Sequence, residues 1–471
     1  MSTTWETVVG LEIHVQLKTR TKMFCRCAAG YGAGENTQTC PVCLGFPGAL
    51  PVMNRTAIEW TVKLGLALGC EIAPRAVFAR KNYFYPDLPK GYQISQYDMP
   101  SCENGSMIVP MPEGELTVGI VRAHLEEDAA KTVHMGGHSG RIGGAEYSLV
   151  DYNRGGTPLL EIVTAPDIHS SEEAKRFLLL LRQTVVELGI SDAEMEKGTL
   201  RVDANVSVRP EGSDELRTRC EIKNMNSFNY IARGIDAEAA RQIAIWEAGG
   251  EVKQETFDFD AGSGTLTPRR SKEEADDYRY FPEPDLIPVA PPAEMIERLR
   301  GELTEPPAAR VVRLGKELDL ERALVLVTGG LDGLYGATVA AGADRLAAAN
   351  VIANNLVGAG VDPATVNAVE FAKLVEARER IPRAAFDEAI SHSGDPGFTA
   401  ESFLAQEVVS DASELGPVID AIIAANPGQV AAFQGGKEGL LGFFVGQVMK
   451  ETGGQADPRA VSELVRAKLL G

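Results

Sequence analysis

Three short segments of this 471-residue chain alternate apolar residues with groups that could bind a metal ion or move a proton. In VGLEIHVQL, residues 9–17, Leu11, Ile13, Val15 and Leu17 share one face of an extended strand. Glu12, His14 and Gln16 share the other, which puts a carboxylate and an imidazole about 7 Å apart on a rigid element. In LRVDANVSV, Arg201, Asp203, Asn205 and Ser207 face away from Leu200, Val202, Ala204, Val206 and Val208. In RCEIKNMN, Glu221 and Lys223 face away from Cys220 and Ile222. A fourth segment, VRAHLEEDAAK, ends a further strand with Glu126, Glu127 and Asp128. Carboxylate oxygens suit Mg2+, which keeps some waters and helps to hold phosphates. Histidine is an unusual Mg2+ ligand and leaves Mn2+ open. A solvated strand face explains any one of these acids; convergence on one cavity would make them a site.

A second constellation is MFCRCAAGYGAGENTQTCPVCLGFPG, with Cys25, Cys27, Cys40 and Cys43. C-x-C, a spacer and C-x-x-C, with Pro and Gly around the second pair, predict a tetrahedral zinc knuckle of structural type, since four thiolates leave no position for water. Two redox pairs or plain buried thiols are the alternatives. Cys70, Cys102 and Cys220 stand alone and read as core residues.

The elements that carry these residues are mainly strands up to about residue 285. Helices interrupt them at NRTAIEWTVKLGLALG and at SSEEAKRFLLLLRQTVVELG, the second opening on a capping signature. The proline-rich FPEPDLIPVAPPAEM then reads as a linker or an extended strap. Beyond it the chain is rich in Ala, Leu and Val with helical periodicity, and a break near DPGFTAESF sets off a last helical piece. The expected division is 1–293, 294–400 and 401–471. With 44% hydrophobic residues the chain can bury a large core. Its net charge of −20 argues against a protein that coats nucleic acid generally, although local basic patches can still bind RNA. MSTTWETVVG is no signal peptide, and no run approaches a membrane span, so a soluble cytoplasmic protein is expected. There is no P-loop and no G-x-S-x-G elbow.

VGLEIHVQL, LGFPGALPVMN, RKNYFYPDLPKGYQISQYDMP, HLEEDAAK, SLVDYNRGGTPLLEIV, LRVDANVSVRP, EIKNMNSFNYI and DYRYFPEPDLIP follow one another in this order, with GGKEGLLGFFVGQVMKETGGQADP near the end. Together they resemble the B subunits of the aspartyl/glutamyl-tRNA amidotransferases, the GatB family. The resemblance spans most of residues 5–290 and resumes near the C-terminus; from about 295 to 400 only helical character carries over.

The resemblance implies an α+β fold: an N-terminal glutamine-synthetase-like cradle with an antiparallel sheet, a helical domain and a small helical tail domain contacting tRNA. It implies a ligase that uses ATP to phosphorylate the side-chain carboxylate of Glu-tRNA(Gln) or Asp-tRNA(Asn). Ammonia from an amidase-type A subunit then forms the amide, in a heterotrimer with a small C subunit. It places Glu12, His14, Glu127, Asp203 and Glu221 at one Mg2+ site, although strand parity alone would favour Glu126 over Glu127. Lys81, Tyr83, Tyr85, Lys90 and Tyr92, in KNYFYPDLPKGYQ, become candidates for contacts to phosphate or to the tRNA 3′ end, because aromatic rings stack unpaired bases. A tyrosine-rich packing patch is the other account of them. Arg154 is a candidate for charge stabilisation, and Lys437 and Lys450 for tRNA phosphates. The four cysteines fit as a structural zinc knuckle beside the cradle.

Three features depart from the family pattern. HMGGHSGRIGGAEYS is longer than usual, which reads as a surface insertion, or as a mobile loop near the site, at 136–144. Arg217 stands where a glycine is common, and Phe257 where an arginine is common. Two other functions stay open: a non-catalytic RNA-binding scaffold, and a small-molecule carboxylate ligase. Nothing resembles the Ser-Ser-Lys machinery of an amidase, so the chain is not expected to make ammonia itself.

Overall fold

The computed structural model describes residues 4–136, 144–269, 278–405 and 412–470. Most of the Gly-rich insertion, 137–143, lies outside them. The chain folds as two compact units, Met1–Arg310 and Val311–Gly471. The first is mixed α/β around a large sheet; the second is helical.

The strands of the first unit are β1 (Trp5–Gln16), β2 (Glu71–Ile72), β3 (Ala79–Asn82), β4 (Tyr92–Ser95), β5 (Cys102–Met111), β6 (Gly114–Glu127), β7 (Lys131–Met135), β8 (Tyr147–Asp151), β9 (Pro158–Thr164), β10 (Leu200–Pro210), β11 (Cys220–Lys223), β12 (Thr256–Asp260), β13 (Thr265–Pro268) and β14 (Phe281–Pro282). Nine form one sheet in the order β13-β12-β11-β10-β1-β9-β6-β5-β2. It is antiparallel except where β11 runs parallel to β12. The alternation read in β1 and β10 is the burial pattern observed: Leu11, Ile13, Val15, Val202 and Val206 are almost wholly buried.

Helices cover that apolar face. The capping signature works as expected: the Ser170 side chain accepts from the Glu173 amide, and α2 runs Ser171–Glu187. α3 (Phe228–Glu247) opens on a Ser227 cap and packs Gly234 against Met225, Ile222 and Phe259. α1 (Arg55–Ala67) is capped by Asn54. The opposite, polar face carries no such layer from these three helices.

The proline-rich segment is a strap. β14 pairs with β3, and Val289 exchanges backbone hydrogen bonds with Ala76. Arg80 holds the buried Glu283 carboxylate through two 2.7 Å bonds. Beyond the strap, α4 (Ala293–Gly301) packs Leu299 on Val62 and Leu66 of α1. In the second unit, Leu415, Ile419, Phe444, Val448, Val461 and Val465 form a closed core within residues 412–470. Among the described residues no single helix is long and apolar enough to cross a membrane.

Candidate active site

Register assembles the polar face. β1 lies between β10 and β9, with Glu12 opposite Asp203 and His14 opposite both Arg201 and Glu161. β9 sets Glu161 opposite His124 of β6. Residues directly opposite in an antiparallel pair share a face. Glu12, His14, Glu161, His124, Glu126, Arg201 and Asp203 therefore stand together, and Glu221 joins them opposite Asn205.

Two acidic groups form there. In the first, His14 Nε2 lies 3.5 Å from Glu161 Oε2 and 3.8 Å from Glu126 Oε1. One donor atom from each of these three residues falls within 4.8 Å of the others. Burial, and next the Glu161 charge, push Glu126 up to about 7. Burial opposes a charge on His14, but its hydrogen bond to Glu161 and the charges of Glu126 and Glu161 outweigh this and raise its pKa. Burial likewise opposes a charge on Glu161, yet the His14 bond and the nearby His124 keep it below the usual carboxylate range. Two facing carboxylates and one imidazole are an excess of donors over charge balance, and the set fits Mg2+ or Mn2+.

In the second group, Lys223 Nζ sits 2.5 Å from Asp203 Oδ2 and 2.8 Å from Glu221 Oε1. Burial alone would lower the Lys223 pKa, but these two charges raise it. Glu12 links the groups. It accepts from Asn205 Nδ2 at 3.1 Å, and burial, then the charges of Glu161 and Glu221, raise its pKa.

Glu127 is the one expected ligand that the structure places elsewhere. It follows Glu126 by one residue, so its side chain leaves β6 on the opposite face. There it pairs with Lys90 Nζ and accepts from the Ile94 amide at 2.9 Å. The residue beside His14 is Glu126, as parity suggested. Glu161, His124 and Lys223 were not singled out from the sequence as site residues. The signal for Glu161 is a lone carboxylate inside the buried run PLLEIVT.

His124 is fully packed, with its Nε2 3.5 Å from Glu161 Oε2. Burial lowers its pKa from 6.5 to about 4. An unfolded chain takes up this proton as pH falls through 6.5, while the folded chain takes it up only near 4. The contribution of neutral His124 is therefore complete above pH 6.5 and is lost as pH falls towards 4. Between pH 7 and pH 5 the native chain should lose on the order of 1–2 kcal/mol more stability than His124→Asn in urea unfolding. Equal losses in the two proteins would refute a neutral His124.

Of the basic, aromatic motif, Lys81 and Tyr83 border this face, within electrostatic reach of Glu126, while Lys90 and Tyr92 sit together on the Glu127 side. Lys81 Nζ lies 4.8 Å from the centroid of Tyr278, and Tyr83 meets the same ring edge-on at 5.9 Å. Tyr97 and Tyr280 stack at 4.2 Å. Tyr92 carries the Arg80 guanidinium at 4.3 Å, while Tyr85 is exposed. Arg154 has a local role: it donates to the carbonyls of Ala129 and Ala130 at 2.9 Å each. Lys437 and Lys450 are exposed on the helical unit.

The cysteines converge. One sulfur from each of Cys25, Cys27, Cys40 and Cys43 lies within 4.8 Å of the other three. A single group of four half-buried thiols fits tetrahedral zinc better than two separate redox pairs. The wholly buried Lys22 puts Nζ 3.7 Å from Cys43 Sγ and 3.0 Å from the Tyr152 carbonyl, a cation beside a would-be thiolate.

Comparison with known proteins identifies the scaffold. The GatB/GatE catalytic domain family matches residues 7–297, and the GatB domain family matches residues 334–469. The chain belongs to the GatB family. Similar curated proteins include the B subunit of the aspartyl/glutamyl-tRNA(Asn/Gln) amidotransferase of Syntrophotalea carbinolica, 45% identical with 100% of each chain covered. Those of Geobacter sulfurreducens (46% identical, 99% of this chain and 100% of the relative) and Leifsonia xyli (48%, 98% and 96%) carry the same name. Both acidic groups and the four cysteines lie in the range matched by the GatB/GatE catalytic domain; Lys437 and Lys450 lie in the GatB domain.

Proposed function

We propose that this chain is the carboxylate-activating subunit of a tRNA-dependent, glutamine-using amidotransferase, a ligase forming a carbon–nitrogen bond. Its substrates are Glu-tRNA(Gln), Asp-tRNA(Asn) or both, with ATP. The observation that carries the reading is the paired acidic groups on one open sheet face, His14–Glu126–Glu161 and Glu12–Asp203–Glu221 with Lys223 between the last two.

A carboxylate is a poor electrophile. Attack of its oxygen on the γ-phosphorus of ATP breaks the bond to ADP and leaves an acyl phosphate. Ammonia then adds to that carbonyl, and phosphate departs with the bonding pair as the nitrogen loses a proton. A divalent cation, Mg2+ or Mn2+, bound by His14, Glu126 and Glu161 with Glu12, Asp203 and Glu221 adjacent would neutralise charge on the phosphates. Lys223 is placed to meet charge that builds on the transferred group. Lys81 and Tyr83 border this face and, with the exposed Tyr85, serve the tRNA 3′ end, while Tyr92 packs on Arg80 and Lys90. Lys90, held by Glu127, acts through that pair, and Arg154 by fixing the loop at 129–130. The cysteine tetrad holds structural zinc. Ammonia comes from an amidase A subunit, with a small C subunit completing a heterotrimer. Residues 1–293 form a cradle like that of glutamine synthetase, 294–400 a helical domain and 401–471 a tail whose Lys437 and Lys450 contact tRNA phosphates.

ADP release by the reconstituted complex tests this. Release should require Glu-tRNA(Gln) or Asp-tRNA(Asn) and be absent with uncharged tRNA. Release with free glutamate would replace the reading by a small-molecule ligase; tRNA binding without any release would leave a scaffold.

A further inference from the structure

The spacer between the two cysteine pairs grips one turn about 115 residues later in the chain. Asn36 is the centre of that grip. Its amide donates to Asp151 Oδ1 at 3.0 Å, its Nδ2 donates to the Val150 carbonyl at 3.1 Å, and its Oδ1 accepts from the Tyr152 amide at 2.8 Å. Asn36 does this from the left-handed region, at φ 58°, where few residues other than glycine sit without strain. Its neighbours repeat the contact. The Gln38 amide donates to Asn153 Oδ1 and Asn153 Nδ2 to the Gly34 carbonyl, both at 2.7 Å. The Met23 amide donates to the Gly156 carbonyl at 2.7 Å, and Lys22 Nζ to the Tyr152 carbonyl at 3.0 Å. Knuckle and turn are in close contact: a Cβ added at Gly156 would lie 3.5 Å from Lys22 Cδ and 3.6 Å from Cys43 Cβ.

The turn held in this way, 151–157, leads straight into β9 and so to Glu161. It also fixes the residue after β6. The Gly156 amide donates to the Asp128 carbonyl, and the Asp128 amide to the Thr157 carbonyl, both at 2.8 Å. Asp128 is buried and lies two residues beyond Glu126, hence on the same side of the chain. Its Oδ2 is 3.0 Å from Arg201 Nη2, and Arg201 stands opposite His14 in the register. Contacts therefore run without a break from the cysteines to the first acidic group. We propose that Asn36 is a positioning residue for that group. Zinc folds the knuckle, the knuckle seats Asn36 against the turn, and the turn fixes Asp128 and Arg201 beside Glu126 and His14. The inference rests on the reading of His14, Glu126 and Glu161 as a divalent-cation site, and it gives the structural zinc an effect on that site. A knuckle that only adds stability is the other account, and the two differ in what they do to the bound cation.

Mn2+ binding to the full-length chain, followed by electron paramagnetic resonance, tests it. Asn36→Gly keeps the left-handed backbone and removes only the side-chain bonds. It should weaken Mn2+ binding about tenfold, the lower end for outer partners of a metal site, and speed amide hydrogen exchange over 150–157. Cys27→Ser/Cys40→Ser, which removes two zinc ligands, should weaken Mn2+ binding at least as much. Adding Asn36→Gly to that pair should weaken it little further, because both changes act through one turn. Tyr31→Ser, a change at an exposed side chain of the same loop, should bind Mn2+ as the native chain does. Native Mn2+ affinity in Asn36→Gly would overturn the proposal even if exchange quickened or the urea midpoint fell, and it would do so whether or not the cysteine variant folds. Fully additive losses in the triple variant would overturn the shared route through the turn. A native chain that binds no Mn2+ would instead remove the cation-site reading itself.

Discussion

Glu126→Gln is expected to lower ATP-dependent amide formation roughly a hundredfold or more while leaving tRNA binding and fold stability intact. The size follows from removing one charged donor from a set that must balance phosphate charge, an effect worth several kcal/mol in a water-poor site. The direction for stability is the informative part. Glu126 is buried facing Glu161, and its carboxyl is pushed up to about 7, so the folded chain gains nothing from ionising it. Gln keeps the shape and removes the repulsion, so the urea midpoint should hold or rise. A functional carboxylate that costs stability is what a site under electrostatic strain looks like. Single-turnover amidation and urea unfolding on the same preparation decide it: full activity in Glu126→Gln would remove Glu126 from the site.

Glu127→Gln, one residue on, should behave in the opposite way. Its partner Lys90 is nearly buried, so removing the carboxylate leaves an ammonium without its counter-charge. Breaking a buried pair from one side costs about 3–5 kcal/mol, whereas replacing both partners by neutral groups is often tolerated. Lys90→Met should therefore restore much of what Glu127→Gln loses. A thermodynamic cycle over the two single variants and the double variant should give a coupling above about 2 kcal/mol. A coupling near zero would mean that Lys90 and Glu127 are not a pair in solution.

These adjacent glutamates show how far the sequence could be read. Strand parity favoured Glu126, while resemblance to a family pointed to Glu127. The β6–β9 register decides, because His124 opposite Glu161 turns Glu126 towards His14 and Glu127 away. Glu161 was hard to see for a physical reason. β9 lies inside the sheet, between β1 and β6, and most of its residues are buried, so PLLEIVT shows no clean alternation to flag its acid. Lys223 was visible as a neighbour of Glu221, but its contact with Asp203 is a cross-strand fact. The cysteine tetrad, the capped helices and the alternating strands were legible because each depends on local spacing. The proline-rich strap was legible as extended chain, but not its partners Ala76 and Arg80, about 200 residues earlier.

The position of β1 also bears on how the chain is made. β1 is an inner strand of the sheet that leaves the ribosome before both of its neighbours, Pro158–Thr164 and Leu200–Pro210. At roughly 5–20 residues per second, about 150–200 residues of synthesis take on the order of 10–40 s. For that interval VVGLEIHVQ has two open hydrogen-bonding edges and an apolar face with nothing to cover it, so nascent-chain chaperones would have their strongest claim on this segment before its second neighbour emerges.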